Sequence, residues 1–357
     1  MEVVCKMKLI FKMGIAVILA LICWQVILMN TVNDSTGYKG HPDLGRIYKE
    51  GTYVHATEGY SRTHINSLGM REEEITEKEK NEFRILTLGD SFTEAFQVHD
   101  KYMYSTQLES NLKKVNNFNV KTINAGRSGA CPAHYIHLAD FYQNTLHQDY
   151  TVIQLNDGDF VEDMLDQTRN FYVEKDGKTF KSVHNQDFQS ANPLVQKFPQ
   201  LKYLSGYTVF RLGADKAQKI AASSSSSDSS DETTNEKPTT FNSKDIEVIN
   251  YDSLVEWTIE ELKKKYPNVV VLYIPQINYY DLETPPSEIE TLLEKHAANY
   301  DVDFINMRED FISYYEEYKT PAHGFHNTTP GTGHTNKIGH QLIATKLSNF
   351  FESRLVD

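Results

Sequence analysis

A serine at position 91 follows a strand-length apolar run and a glycine turn. The run is Phe83-Arg84-Ile85-Leu86-Thr87-Leu88, and the turn is Gly89-Asp90-Ser91-Phe92. A hydroxyl so placed stands at the rim of an open sheet, where α/β folds put their sites. A neutral serine is a poor nucleophile. It needs a base within hydrogen-bond reach, and histidine titrates near working pH. Attack on an ester carbonyl also develops charge on oxygen, which needs donors already in place. Three further blocks supply such groups in order. Asn124-Ala125-Gly126-Arg127-Ser128-Gly129 closes a second apolar run, Val120 to Ile123. Asn156-Asp157-Gly158 closes a third, Tyr150 to Leu155, and Gly333-His334-Thr335-Asn336-Lys337-Ile338-Gly339-His340 opens the final helix. The Ser91 amide, the Gly129 amide and the Asn156 side-chain amide form the natural donor trio. Glycine at 129 lets the backbone approach substrate with no Cβ in the way.

This set and order of blocks resembles the SGNH (GDSL-type) hydrolase superfamily, from Asn66 to the C-terminus apart from a long central insertion. The approach segment Asn66-Ser67-Leu68-Gly69-Met70-Arg71 is similar to the one preceding the first block in many surface-anchored members. The resemblance implies that Ser91 is the nucleophile, that Gly129 and Asn156 complete an oxyanion hole with the Ser91 amide, and that His334 is the base. Two positions depart from the family pattern. Gly331 stands where an aspartate three residues before the histidine is usual, and Gln154 stands where a glycine is usual. The first departure leaves open what orients the imidazole. A backbone carbonyl would give a Ser-His dyad. Glu309 or Asp310, which follow the last strand of the pattern, would give a triad. Failing both, the site is impaired or serves binding only.

Other polar residues in these blocks have plainer readings. Asp90 ties down the turn, Asp157 braces a loop, and His340 packs or caps within the last helix. His323, His326 and His334 are close in sequence, but no cysteine and no firm carboxylate joins them. Neither a metal nor a cofactor is therefore expected. Cys131, just past the glycine of the second block, reads as a small buried thiol.

The chain has 357 residues and a net charge of −13, with no basic cluster carrying aromatics, which argues against nucleic acid as a partner. Mean hydropathy is −0.51 even with an apolar N-terminal run included. Of its three cysteines, Cys5 and Cys23 fall in the N-terminal segment, so no disulfide can form within the remainder. Residues 13–29 are apolar except for Gln25, and Lys6, Lys8 and Lys12 precede them. The basic flank predicts a membrane anchor over 1–30, with the N-terminus in the cytoplasm and the rest outside, periplasmic or at the cell surface. A cleaved signal peptide is the rival, although no small-x-small site follows the apolar run.

Residues 31–80 read as an extended arm with turns, and 81–357 as the SGNH-like domain. Strands are expected at 83–88, 119–124, 150–155, 268–274 and 302–307. Helices are expected at 101–114, 133–146, 251–265, 286–299 and 335–352. Continuous apolar strands alternating with helices predict an α/β fold. It is a three-layer α/β/α sandwich around a mainly parallel, flavodoxin-like five-stranded sheet. The insertion, 158–250, carries a hairpin over 170–183 and a Ser/Asp/Glu/Thr-rich segment at 221–240 that should be disordered. It reads equally as a lid beside Asn156 or as a decorative excursion. Three functions fit the residues. The first is a serine esterase removing small acyl groups, acetyl above all, from a cell-surface or extracellular carbohydrate, a substrate class implied by the resemblance. The second is an O-acyltransferase using the same serine. The third is a non-catalytic glycan-binding or assembly protein, which the glycine at 331 keeps open.

Overall fold

In the computed structural model, the described residues are 2–31, 37–116, 119–167, 169–176, 179–184 and 250–355. The Ser-rich segment 221–240 lies outside them. Two compact units are distinguished: residues 31–190 with 250–357 form one, and residues 1–30 with 191–249 form the other.

Helix α1 runs Glu2–Thr31, and all but its last residue belong to the second of these units. Thirty residues at about 1.5 Å each span about 45 Å, more than the hydrocarbon core of a bilayer. Residues Met7–Trp24 have a mean hydropathy of 2.1, and none of that window is buried inside the protein. A membrane span and a signal sequence both have these properties.

The larger unit opens with two hairpins in the region expected as an extended arm. Strands β1 (Tyr38–His41) and β2 (Gly45–Tyr48) pair antiparallel, as do β3 (Gly51–His55) and β4 (Ser61–Ile65). Strand β4 alternates strictly, with Ser61, Thr63 and Ile65 buried and Arg62 and His64 exposed, the pattern of a ribbon packed on one face. The segment after β4 docks under the site-bearing loops. Arg71, 2% exposed, donates from Nη1 to the Glu94 and Ala95 carbonyls and from Nη2 to the Val98 carbonyl at 2.6 Å. Burying that guanidinium among these carbonyls pins the Asn66–Arg71 segment to the chain just after Ser91.

The main sheet has the order β11-β10-β7-β5-β6, and every pairing is parallel. Its strands are β5 (Phe83–Leu88), β6 (Val120–Asn124), β7 (Tyr150–Leu155), β10 (Val269–Tyr273) and β11 (Asp303–Asn306). All five lie within a residue or two of the sequence expectation. β10 is buried along its whole length, which explains its unbroken apolar run. Helices cover both faces, giving the three-layer α/β/α sandwich. α3 (Tyr104–Asn116) and α8 (Lys337–Leu355) share one core cluster with Ile85, Val120, Val152 and Val270. Tyr104, Leu108 and Leu112 on α3, and Ile343, Leu347 and Phe351 on α8, recur every four residues and point into that cluster. On the other side run α4 (Pro132–Leu146), α5 (Tyr251–Lys265) and α6 (Glu288–Asn299), with the Tyr266 hydroxyl donating to the Tyr135 carbonyl at 2.7 Å to join α5 to α4. Between β11 and α8 lies α7, Arg308–Tyr318, which the sequence expectation omitted.

The start of the insertion is ordered against this unit. A π-helical turn, Asp159–Asp163, follows β7, and strands β8 (Phe171–Asp176) and β9 (Thr179–His184) form the expected hairpin.

Candidate active site

The loops that carry the four blocks converge at the C-terminal edge of the sheet. Ser91 is the first residue of a four-residue helix, α2 (Ser91–Glu94). Asp90 caps that helix, its side chain accepting the Phe92 N–H at 2.9 Å. The turn before it is crowded, because a Cβ on Gly89 would lie 2.5 Å from Gln154 Oε1. That oxygen also accepts the Asp90 N–H at 3.2 Å, so Gln154, the second departure from the family pattern, braces the nucleophile turn.

His334 sits on the loop between α7 and α8. Its Nε2 lies 2.7 Å from Ser91 Oγ. Its Nδ1 lies 2.5 Å from Glu58 Oε2, and its backbone N–H donates to Glu58 Oε1 at 2.9 Å. A carboxylate can only accept, so Nδ1 carries the proton and Nε2 is left as the acceptor for the serine hydroxyl. Burial pushes the Glu58 carboxyl up, but the hydrogen bonds and charge of His334 outweigh that and hold it below the usual carboxylate range. Glu58 is therefore ionised at neutral pH. His55 and His323 flank the pair, and burial followed by the His334 charge lowers each to about 4.

Glu58 lies in the turn between β3 and β4, in the region read from sequence as an arm. Asn327 ties that turn to the His334 loop. Its Oδ1 accepts the Gly59 N–H at 2.8 Å, and its Nδ2 donates to the Ala56 and Gly59 carbonyls at 3.2 and 3.1 Å. The residues weighed as the acid from sequence lie elsewhere. Glu309 and Asp310 are in the first turn of α7, where carboxylates suit the helix N-terminus. Asp310 pairs with Lys346 at 3.1 Å, and Glu309 faces solvent. Nor does a backbone carbonyl meet Nδ1. Gly331 has φ +84°, and a Cβ there would lie 3.0 Å from the Tyr279 ring, so the position that usually carries the aspartate is shaped against any side chain. The only sequence sign of Glu58 is an acid before a glycine in a turn between two strand-like runs, which marks a hairpin and not a catalytic group.

Asn156 is brought beside the nucleophile turn, its Nδ2 donating to Asp90 Oδ2 at 2.9 Å and its N–H to Asp159 Oδ2 at 2.8 Å. Burial pushes both carboxyls up, and the charge of Asp90 adds to the effect at Asp159. The second block packs on α2. The Arg127 N–H donates to the Gly89 carbonyl at 2.9 Å, and the Ser128 N–H donates to Glu94 Oε2 at 3.0 Å. Gly129 has φ +73°. Asp157 does brace a loop, accepting from Tyr273 at 2.7 Å and Ser287 at 2.8 Å. His340 is buried and accepts the first N–H of α3 at 3.3 Å. Cys131 is buried and its thiol is pushed up by that burial. His323 is buried with Nδ1 3.0 Å from the Tyr279 hydroxyl, whereas His326 is exposed.

Glu94 gives the site a pH-dependent stability. It is 2% exposed, and burial raises its carboxyl to about 7 despite the Ser128 hydrogen bonds. Between its ordinary value and about 7 the folded chain holds a proton that the unfolded chain has lost, so stability falls as pH rises through that window. The size is about 3 kcal/mol. Glu94→Gln keeps an acceptor for Ser128 and removes the ionisation. Its unfolding midpoint should match the wild type near pH 4 and exceed it at pH 8. A gap that stays constant with pH would refute a buried, proton-retaining Glu94.

No protein-family model matches the chain, and no curated protein matches it. Solved structures do. An acetyl xylan esterase, AlAXEase, is 14% identical with a TM-score of 0.41, covering 75% of this chain and 99% of its own. A two-domain esterase (CEX) active on acetylated mannans is 12% identical with a TM-score of 0.39 over 77% of this chain, which spans about half, 50%, of that protein. A member of the lipolytic G-D-S-L family from Veillonella parvula DSM 2008 is 15% identical with a TM-score of 0.37, over 76% of this chain and 98% of its own.

Proposed function

We propose that the protein is a serine ester hydrolase working through a Ser91–His334–Glu58 relay, with small acyl esters, acetyl above all, as substrates. The observation that carries this is the continuous chain of contacts Ser91 Oγ–His334–Glu58, at 2.7 and 2.5 Å. Ser91 Oγ attacks the ester carbonyl carbon as His334 Nε2 takes the hydroxyl proton, and Glu58 stabilises the imidazolium without itself being protonated. The oxyanion is met by the Ser91 and Gly129 amides and the Asn156 side chain. Collapse passes the Nε2 proton to the departing alcohol and leaves an acyl-serine. Water, deprotonated by the same nitrogen, then releases the acid.

An acetylated carbohydrate outside the cytoplasm is the substrate class we assign. It follows the family resemblance of the four blocks and an apolar N-terminal helix suited to an anchor. Against the reading as a non-catalytic protein stands the Glu58 carboxylate, which meets His334 Nδ1 although Gly331 carries no side chain.

The test is acetate release from acetylated polysaccharides and from p-nitrophenyl acetate by the full-length chain in detergent. Free acetate with the serine transiently acylated supports a hydrolase. Acetyl appearing only on an added sugar hydroxyl assigns the same serine to transfer, and no acyl-enzyme at all defeats both.

A further inference from the structure

Resting on the serine-hydrolase reading, we propose that Arg169, from the ordered start of the insertion, is a positioning residue that sets the oxyanion hole by clamping Gly129. Arg169 Nη1 donates to the Gly129 carbonyl at 2.8 Å. Nη2 pairs with Asp163, and Nε lies 3.5 Å from Asp166, so acids of the same insertion hold the guanidinium from behind. It occupies the face of Gly129 where a Cβ would stand, 2.5 Å from that position.

The need for such a clamp follows from the loop. The candidate donor is the Gly129 N–H, which belongs to the Ser128–Gly129 peptide. The peptide before it is held by Glu94, which accepts the Ser128 N–H at 3.0 Å. The peptide after it is held by Arg169 through the Gly129 carbonyl. The Ala130 N–H closes the turn onto the Arg127 carbonyl at 2.8 Å. The donor peptide is thus fixed at both ends by side chains from different parts of the chain. Glycine restrains its own backbone less than any other residue, and at φ +73° it has neighbouring conformations of similar energy. A donor is useful only if it is aimed before the charge develops. On this account the insertion is neither a lid nor an excursion at its start, but a strut for the second block.

The experiment is the rate at which diethyl p-nitrophenyl phosphate phosphorylates Ser91 in the full-length chain, read by mass spectrometry, with p-nitrophenyl acetate kinetics alongside. Phosphorylation of the serine expels p-nitrophenolate and generates the same kind of oxyanion in the same hole. Arg169→Ala should slow labelling and lower kcat by a common factor of about 10- to 100-fold, with KM unchanged. Arg169→Lys, which keeps one donor, should recover part of the loss, and Asp163→Asn should reproduce part of it. Equal labelling rates in wild type and Arg169→Ala overturn the proposal. A raised KM with kcat intact overturns it as well, by making Arg169 a substrate contact. So does a smaller labelled fraction that reacts at the wild-type rate, which would mean misfolding alone. A wild-type Ser91 that resists labelling defeats the hydrolase reading itself and the clamp with it, a result distinct from the others.

Discussion

Ser91→Ala and His334→Ala are each expected to lower kcat for p-nitrophenyl acetate by a factor on the order of 10⁶, and the double variant should be no worse than either alone. The reason lies in the 2.7 Å contact between His334 Nε2 and Ser91 Oγ. The hydroxyl is nucleophilic only while its proton has a place to go, and the base is useful only while that hydroxyl is its donor. Removing either ends the same step, so the two losses do not add. The residual rate, roughly 10³- to 10⁴-fold above water in enzymes of this mechanism, comes from the oxyanion donors and binding. Gly129 and Asn156 remain in place in both variants. The check is steady-state kinetics with equal unfolding midpoints. A His334→Ala variant within tenfold of wild type would remove histidine from the mechanism and with it the reading of the site.

Glu58→Gln is the sharper experiment, with an expected loss in kcat of about 10⁴. Glu58 makes two bonds to His334, one to the backbone N–H and one to Nδ1. Glutamine can keep the first through its oxygen. Its NH₂ group then faces Nδ1, and a donor there forces Nδ1 to accept and Nε2 to carry the hydrogen. That tautomer cannot take the serine proton, although size and packing are nearly unchanged. Glu309→Ala and Asp310→Ala, by contrast, should leave kcat within a few-fold of wild type, because neither carboxylate approaches the imidazole. Activity of Glu58→Gln near the wild-type level would show that His334 is oriented by its loop alone. The pH dependence has a definite sign. The Glu58 carboxyl is held below its ordinary range by His334, so its support is complete above that range and disappears only as pH falls through the lowered value.

Much of this site lies open in the linear order of residues. Ser91, Gly129, Asn156 and His334 each follow a strand or precede a helix, and those elements carry strong periodicity of their own. β5 and β10 are apolar because both their faces are covered, and the helix after His334 repeats apolar residues every four positions. The type of each element and the chemistry of each block are therefore written in contiguous residues. The hairpin over 170–183 is legible in contiguous residues too, as the run Phe171-Tyr172-Val173, a Lys-Asp-Gly-Lys turn and Phe180, and the structure pairs Phe171 with His184 across it.

The carboxylate is different. Glu58 meets His334 across 276 residues of chain, and no local pattern ties the two together. Their contact depends on how the turn between β3 and β4 docks, which Asn327 and the crowded left-handed Gly59 decide by fitting the turn against Phe325 and the Gln97 carbonyl. Glu309 and Asp310 were attractive from sequence because they follow a strand of the sheet, but α7 turns them into helix-end acids. Arg169 was invisible for a related reason: its value lies in one carbonyl, that of Gly129, 40 residues earlier in the chain. The sequence by itself determined the five strands of the main sheet, the helices α3 to α6 and α8 that cover it, and the candidate nucleophile and base, because local periodicity and turn chemistry specify them. Only the tertiary structure brought Glu58 to His334 and Arg169 to the Gly129 carbonyl, because those contacts are made by packing between segments that share no local pattern.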